Sequence, residues 1–381
     1  MTETYDAIVI GAGAMGSAAA YYLSRRGQRV LLLEQFEIDH RRGSSYGFSR
    51  IIRYSYDSPE YVELAKDTYP LWFALEDELG EQLVTKTGGI DFGPEDDPTL
   101  QATIASVRDG GLSHQHLSPL EAQKRFPQFR FDDNFAVLYQ PDSGFLRASR
   151  AVRGHVRLAR ANGATALDNT AVAAIRIGSD SVEVLSSRGD FSAAKLVVTA
   201  GSWAKSLLAQ TGIDLPLRVL RCQLNFMSPA DLPMHSAENC PIYIAHLRKR
   251  DGEAIYGIPA HDGSGFKVAF HAGPAVAHPS EIDYSPSAED VDNLRPFLRA
   301  HIPGVADSPV QSSRICLYTQ TPDEHFIVDT HPENAHVVIG AGFSGHGFKF
   351  STTIGKMLSD IALDGSTRHN DSLFKLARFS A

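Results

Sequence analysis

The stretch that most restricts how this chain can fold lies near its N-terminus, "YDAIVIGAGAMGSAAAYYLSRRGQRVLLLEQ". Ala7 to Ile10 and Val30 to Leu33 are apolar runs of the kind that parallel strands need when both faces are buried. The segment between them is Ala- and Leu-rich, with small Ala18 to Ala20 on its near turns, and it stops at basic residues followed by Gly27, so it reads as a helix. Gly11, Gly13 and Gly16 stand in the turn between strand and helix. The first glycine of such a triplet permits the tight turn, the second lets backbone approach a pyrophosphate, and the third lets the helix lie close on the strand. Glu34, at the end of the second strand, is positioned to hold a ribose 2′-hydroxyl. This βαβ unit predicts a dinucleotide-binding lobe.

A chain of 381 residues is long for one hydrophobic core, and two lobes sharing an interface are expected. Between 216 and about 318, short strand-like runs and turns such as Asp251-Gly252 and Asp262-Gly263 predict an antiparallel meander. The C-terminal "HVVIGAGFSGHGFKFSTTIGKMLSDIAL" returns to strand, glycine turn and helix, with Phe350, Ile354, Met357, Leu358 and Ile361 on one face. The expected fold class is therefore α/β plus α+β. A discontinuous Rossmann-like lobe is assigned to 1–82, 147–215 and 319–381, and a substrate lobe on an antiparallel sheet to 83–146 and 216–318.

Several function classes are disfavoured. A net charge of −9 argues against an extended nucleic-acid surface, which needs clustered Lys and Arg. The short "RKR" at 248–250 reads as a solvated hairpin tip. No apolar run approaches the roughly 18 residues of a membrane span, and the first strand begins too early for a signal peptide, so the expected location is cytoplasmic. The three cysteines form no CxxC pair and no disulfide framework, and no metal site is expected.

The glycine triplet does not choose between FAD and a nicotinamide. Two later strand ends, "VVTAGSW" with Ala200 and Gly201 and "VVIGAGFSGHG" with Gly345 and Gly347, offer backbone that could close around a long flavin. A nicotinamide lobe is usually contiguous and this one is split, which favours FAD. In "GFKVAFHAG", Lys267 and His271 share a strand face across small Ala269, opposite Phe266, Val268 and Phe270. Burying an uncompensated lysine is costly, so the pair either faces solvent or lines a site. Lys349 stands at the start of a helix, where the macrodipole favours anions, so it either swings to water or serves a bound carboxylate. Arg50 and Arg53 lie among Tyr46, Phe48, Tyr54 and Tyr56, which suits anion or flavin contact or else a solvated loop. In "RICLYT", alternation puts Ile315 and Leu317 on one face and Arg314, Cys316 and Tyr318 on the other. By residue type alone Cys316 is a small core hydrophobe.

Taken together, "TPDEHFIVD" followed by "GAGFSGHGFKFS", the "SRIIRYSY" loop, "DSGFL" at 142–146 and the Tyr256, Lys267, His271 spacing resemble the family of monomeric sarcosine oxidases and N-methyltryptophan oxidases, flavoenzymes of the D-amino-acid oxidase superfamily. The resemblance runs from the first strand to the last helix. It implies FAD held covalently by a thioether from Cys316, with Arg50 on the other flavin face and Gly345, Gly347 and Lys349 among the cofactor contacts. It implies that Arg53 and Lys349 clamp a substrate carboxylate and that Lys267 promotes reaction of the reduced flavin with oxygen. Tyr256, His271, Tyr318 and the Gly345 carbonyl would line the substrate cavity. The implied activity is oxidation of a secondary amino acid by oxygen with release of peroxide, in a monomer. Sarcosine is the simplest candidate; N-methyltryptophan, pipecolate or a fructosyl amino acid are larger ones, and an FAD dehydrogenase using a carrier is the alternative. Ser45 and Tyr46 replace a histidine pair common in that family. "NCPIYIAHLRKRDGEAI" also departs from its pattern, so the resemblance leaves substrate size open.

Overall fold

The computed structural model describes residues 3–249 and 253–379. The Asp251-Gly252 turn and the side chains of the basic triplet at 248–250 lie outside the described residues. The first strand, Glu3–Ile10, starts ahead of its apolar run because it pairs in parallel with Gly189–Val198 from Glu3 onward. On its other side it pairs with Val30–Leu33, which in turn pairs with Thr165–Leu167, both in parallel. The antiparallel strands Val172–Ile177 and Val182–Ser186 extend one edge, and Asn334–Ala341 joins Gly189–Val198 in parallel to complete an eight-stranded sheet with Ile327–His331. Helices Ala14–Arg25, Ala148–Ala161 and Ser351–Asp364 cover this sheet. Leu32, Trp72, Ile354 and Met357 belong to the core between them.

The second sheet has nine strands among the described residues. It is antiparallel throughout its described pairs except where Ile242–Lys249 runs parallel to Gly89–Pro94. The expected meander is thus interrupted: two separate excursions of the chain meet along that seam, and a strand paired across excursions need not reverse direction as a hairpin does. Arg218–Met227 pairs with Val310–Gln320 along its length and with Phe266–Phe270 at its far end. Helix Ala288–His301 closes the outer face, its Phe297 joining Phe92, Tyr243 and Phe266 in one core. Alternation holds in Phe266–Phe270, where Phe266 and Val268 enter that outer core while Ala269 packs with Cys222, Cys316 and Tyr318 on the inner side. A small sheet of Arg50–Ile52, Gly144–Leu146 and Val84–Lys86 lies at the junction and presents the "SRIIR" loop to both lobes. No described helix is long and apolar enough to cross a membrane.

His155 sits in the helix Ala148–Ala161 with its ring 5.7 Å from those of Tyr21 and Trp72, fully buried, and its Nε2 has no hydrogen-bond partner among the described residues. Burial drives its pKa down to about 3, against a smaller upward push from the Ala151 backbone. The unfolded chain, with an ordinary imidazole, takes up the proton first, so this stabilisation is complete above about pH 6.5 and is lost as pH falls toward 3. The melting temperature should fall across that window, and His155→Phe should make the fall shallower in melts recorded at successive pH values.

Candidate active site

The glycine turn forms one end of a cleft of about 280 Å³ between the lobes. Gly11 has φ +93, and a Cβ on Gly16 would lie 1.8 Å from the Gly11 carbonyl oxygen, so the helix start can approach the strand only without side chains there. Gly16 lies beneath the loop; Gly11 and Gly13 face the cleft. Ser45 Oγ accepts from Ala14 N–H at 2.9 Å, one of the donors the helix start leaves open. Glu34 is buried and lines the cleft; its Oε2 accepts from Ala12 N–H at 2.9 Å and its Oε1 from Phe36 N–H at 3.1 Å. Ala200 and Gly201 line the same wall, and Arg50, Cys316, Gly345 and Gly347 line the cleft toward the second sheet.

Cys316 is buried directly opposite Cys222 in the register of Arg218–Met227 with Val310–Gln320. Its sulfur lies 3.8 Å from Arg50 Nη2, while Arg50 also donates to the Ser44 and Tyr46 carbonyls at 2.7 and 2.9 Å. Arg314, the cation suggested by alternation, instead stacks over Phe48 at 4.2 Å. A long side chain on a strand edge finds more apolar contact by lying across a ring than by standing beside its i+2 neighbour. Tyr46 donates to the Ile315 carbonyl, and burial, then the nearby Cys316, push its pKa up to about 12.

A second cavity of about 690 Å³ adjoins the first, and Arg50, Tyr318, Gly345 and Phe348 line both. Around it stand Arg53, Tyr256, Lys267, His271 and Lys349. Lys349 lines this cavity and not the dinucleotide cleft, so its expected cofactor contact is not part of the described cleft. It does not swing to water: it is buried in a 3-10 turn, Phe348–Phe350, and its Nζ donates to Tyr56 Oη and the His346 carbonyl, each at 2.7 Å. Burial, then Arg53, hold its pKa well below the usual ammonium range. Lys267 is 1% exposed and its Nζ lies 5.1 Å from the centre of the Tyr256 ring; burial, then Arg50, depress its pKa strongly. His271 falls just after its strand, with its pKa lowered to about 4 by burial, then by Lys349 and Arg53. Its imidazole is therefore neutral near pH 7. The hydroxyls of Tyr256 and Tyr318 share a hydrogen bond of 3.1 Å. Gly345 has φ +79, and a Cβ there would meet the Tyr318 ring at 2.4 Å, which is how its backbone reaches the cavity wall.

The site-residue expectations omitted Tyr56, His346, Asp91 and His246. Asp91 had a visible signal, a carboxylate inside the apolar strand "GGIDFG", and His346 lies within the "GHG" turn itself. Among the described residues no cluster could hold a metal ion.

Residues 6–361 match the family model described as "FAD dependent oxidoreductase". The chain is 37% identical to monomeric sarcosine oxidase of Arthrobacter sp., over 99% of this chain and 97% of the relative. It is 33% identical to N-methyl-L-tryptophan oxidase of Citrobacter koseri over 99% of each. Among solved structures, NikD, an unusual amino acid oxidase essential for nikkomycin biosynthesis, superposes with a TM-score of 0.87 at 26% identity and 98% coverage of both chains. The cleft fits such a cofactor: the turn leaves no room for side chains, and a buried carboxylate, Glu34, lines the cleft just after the second strand, where a ribose hydroxyl would be held. The two glycines separate fold from binding. A Cβ on Gly13 would meet only the Ser45 side chain, its oxygen at 2.9 Å, whereas one on Gly16 meets backbone at 1.8 Å. Gly13→Ala should therefore lose flavin, read from the ratio of absorbance at 450 and 280 nm, while the apoprotein melts close to wild type; Gly16→Ala should lower both.

Proposed function

The chain belongs to the FAD dependent oxidoreductase family, and within it we propose an oxidase of secondary, N-methyl α-amino acids such as sarcosine, yielding an imine that hydrolyses to aldehyde and amine, together with hydrogen peroxide. The observation that carries this reading is the convergence of Arg53, Lys349 and Lys267 on one cavity that shares a wall with the dinucleotide cleft. FAD, when bound, supplies the two-electron acceptor and returns the electrons to oxygen.

Gly11, Gly13, Glu34, Ala200, Gly201 and Gly347 hold the cofactor in this reading. Arg53 and Lys349 take the substrate carboxylate, each charge-assisted hydrogen bond contributing about 1.5–3 kcal/mol. A bound carboxylate supplies a countercharge to Lys349, which has no acidic partner among the described residues, and opposes the effect of burial on it. Neutral His271 accepts a hydrogen bond from the substrate nitrogen. Tyr256, Tyr318 and the Gly345 carbonyl shape the space around the reacting carbon and exclude water. Lys267 stabilises the negative charge that oxygen acquires as it is reduced, from a position prepared before the reaction. Cys316, with Arg50 3.8 Å from its sulfur, would hold the flavin by a thioether to its 8α-methyl carbon; the C–H bond lost there would leave its proton to solvent and its electron pair on the flavin ring, from which oxygen would remove it. The protein works as a cytoplasmic monomer on a small amino acid and oxygen. A cavity of about 690 Å³ also favours testing larger or cyclic substrates beside sarcosine.

A panel of N-alkylated and cyclic amino acids, scored by peroxide release, tests the reading. Flavin reduced anaerobically by substrate but reoxidised slowly in air would point to a dehydrogenase instead. Lys267→Met should leave anaerobic reduction in place and slow reoxidation by about 100-fold or more, seen by stopped-flow absorbance. Acid-precipitated wild type should stay yellow and Cys316→Ala should lose the colour to the supernatant.

A further inference from the structure

Asp91 is a carboxylate in the middle of the strand Gly89–Pro94, 1% exposed and outside the lining of either cavity. Its neighbours in register are Leu138 on one side and Ile244 on the other, neither of which supplies a charge. A buried carboxylate without compensation is costly, so its partners explain its presence. Its Oδ1 accepts from Arg53 Nη1 at 3.3 Å and from His246 Nε2 at 3.1 Å, and its Oδ2 accepts from Ser55 Oγ at 2.7 Å. Two separate segments thus aim donors at the Asp91 carboxylate: the loop after Arg50–Ile52, which carries Arg53 and Ser55, and the strand Ile242–Lys249, which carries His246. Burial pushes the Asp91 pKa up, but Arg53, His246 and Ser55 together outweigh it and leave it lowered.

Every hydrogen bond described for Arg53 leaves from Nη1, to the Ser55 carbonyl, Ser55 Oγ and Asp91. Nη2 and Nε therefore remain for a ligand in the cavity that Arg53 lines. The guanidinium also lies over the Tyr56 ring at 4.6 Å, and the Tyr56 hydroxyl accepts from Lys349, so fixing one edge of Arg53 fixes its relation to the second cation.

We infer that Asp91, held by Ser55 and His246, is a positioning residue for the substrate carboxylate: it binds one edge of Arg53 so that the opposite edge is presented beside Lys349. It acts through Arg53 and need not touch substrate. His246 both locks Asp91 and lines the cavity, so it carries this geometry to the wall that a substrate side chain would meet. The inference rests on the reading of Arg53 and Lys349 as a carboxylate clamp.

The test uses flavin-loaded protein and acetate, a carboxylate with no amine to oxidise, with binding read from broadening of the acetate methyl proton resonance. Asp91→Val should weaken acetate about 10-fold or more and Asp91→Asn, which keeps an acceptor, should fall between it and wild type. In an Arg53→Met background, Asp91→Val should add nothing, because the group it positions is gone. Acetate binding within twofold of wild type in Asp91→Val, or an equal loss with and without Arg53, overturns the inference. If Asp91→Val does not hold flavin, Asp91→Asn is compared in the same two backgrounds, and unchanged acetate affinity or an undiminished effect without Arg53 overturns it equally. Failure of wild type to bind acetate overturns the clamp itself, and the inference with it.

Discussion

The structure is organised around the cost of placing cations inside it. Arg53, Lys267 and Lys349 face one cavity between the lobes, and cations withdrawn from water must be compensated or lose their charge. Each is treated differently. Arg53 has a buried carboxylate, Asp91; Lys349 has a phenol and a carbonyl; Lys267 has the face of an aromatic ring. The two ammonium groups are thereby left with depressed pKa values that a bound anion or a developing negative charge would reverse. His271 and His346 are kept from adding further positive charge by burial and by those same cations. The aromatic lining follows from this arrangement, because rings bury area without bringing competing charge.

The second organising feature is the strand Val310–Gln320, which belongs to the second sheet yet faces the cofactor cleft of the first lobe. Ile315 and Leu317 pack with Val219 on one side, while Cys316 and Tyr318 pack with Cys222 and Ala269 on the other. Tyr318 lines both cavities, with Gly345 reaching it from the turn after Asn334–Ala341. Cofactor and substrate are therefore received by adjoining surfaces of one junction. Ser45 and Tyr46, in the place of the expected histidines, make neutral contacts to Ala14 N–H and the Ile315 carbonyl, so Arg50 is the cation beside Cys316.

Local sequence was enough to recognise the βαβ unit, because its glycine spacing, strand composition and carboxylate all report on contacts made within about thirty residues. It was enough to place Lys267 and His271 on one side of their strand and Cys316 on the face opposite Ile315 and Leu317, since strand alternation is a local rule, although both faces of that strand prove to be apolar. It left undecided whether those cations face water or a cavity. That choice depends on which sheet lies opposite, and chain segments far apart in sequence supply it. The same applies to the parallel seam between Gly89–Pro94 and Ile242–Lys249, which no hairpin signal could announce. Asp91 shows the limit most plainly: one carboxylate in an apolar strand is visible in the sequence, but the guanidinium, imidazole and hydroxyl that account for it come from three other positions, joined only by tertiary packing. What the amino-acid order determined by itself was the dinucleotide turn and the facing of individual side chains. The tertiary structure decided which of those faces are buried together, because the cost of an interior charge is settled by its neighbours in space.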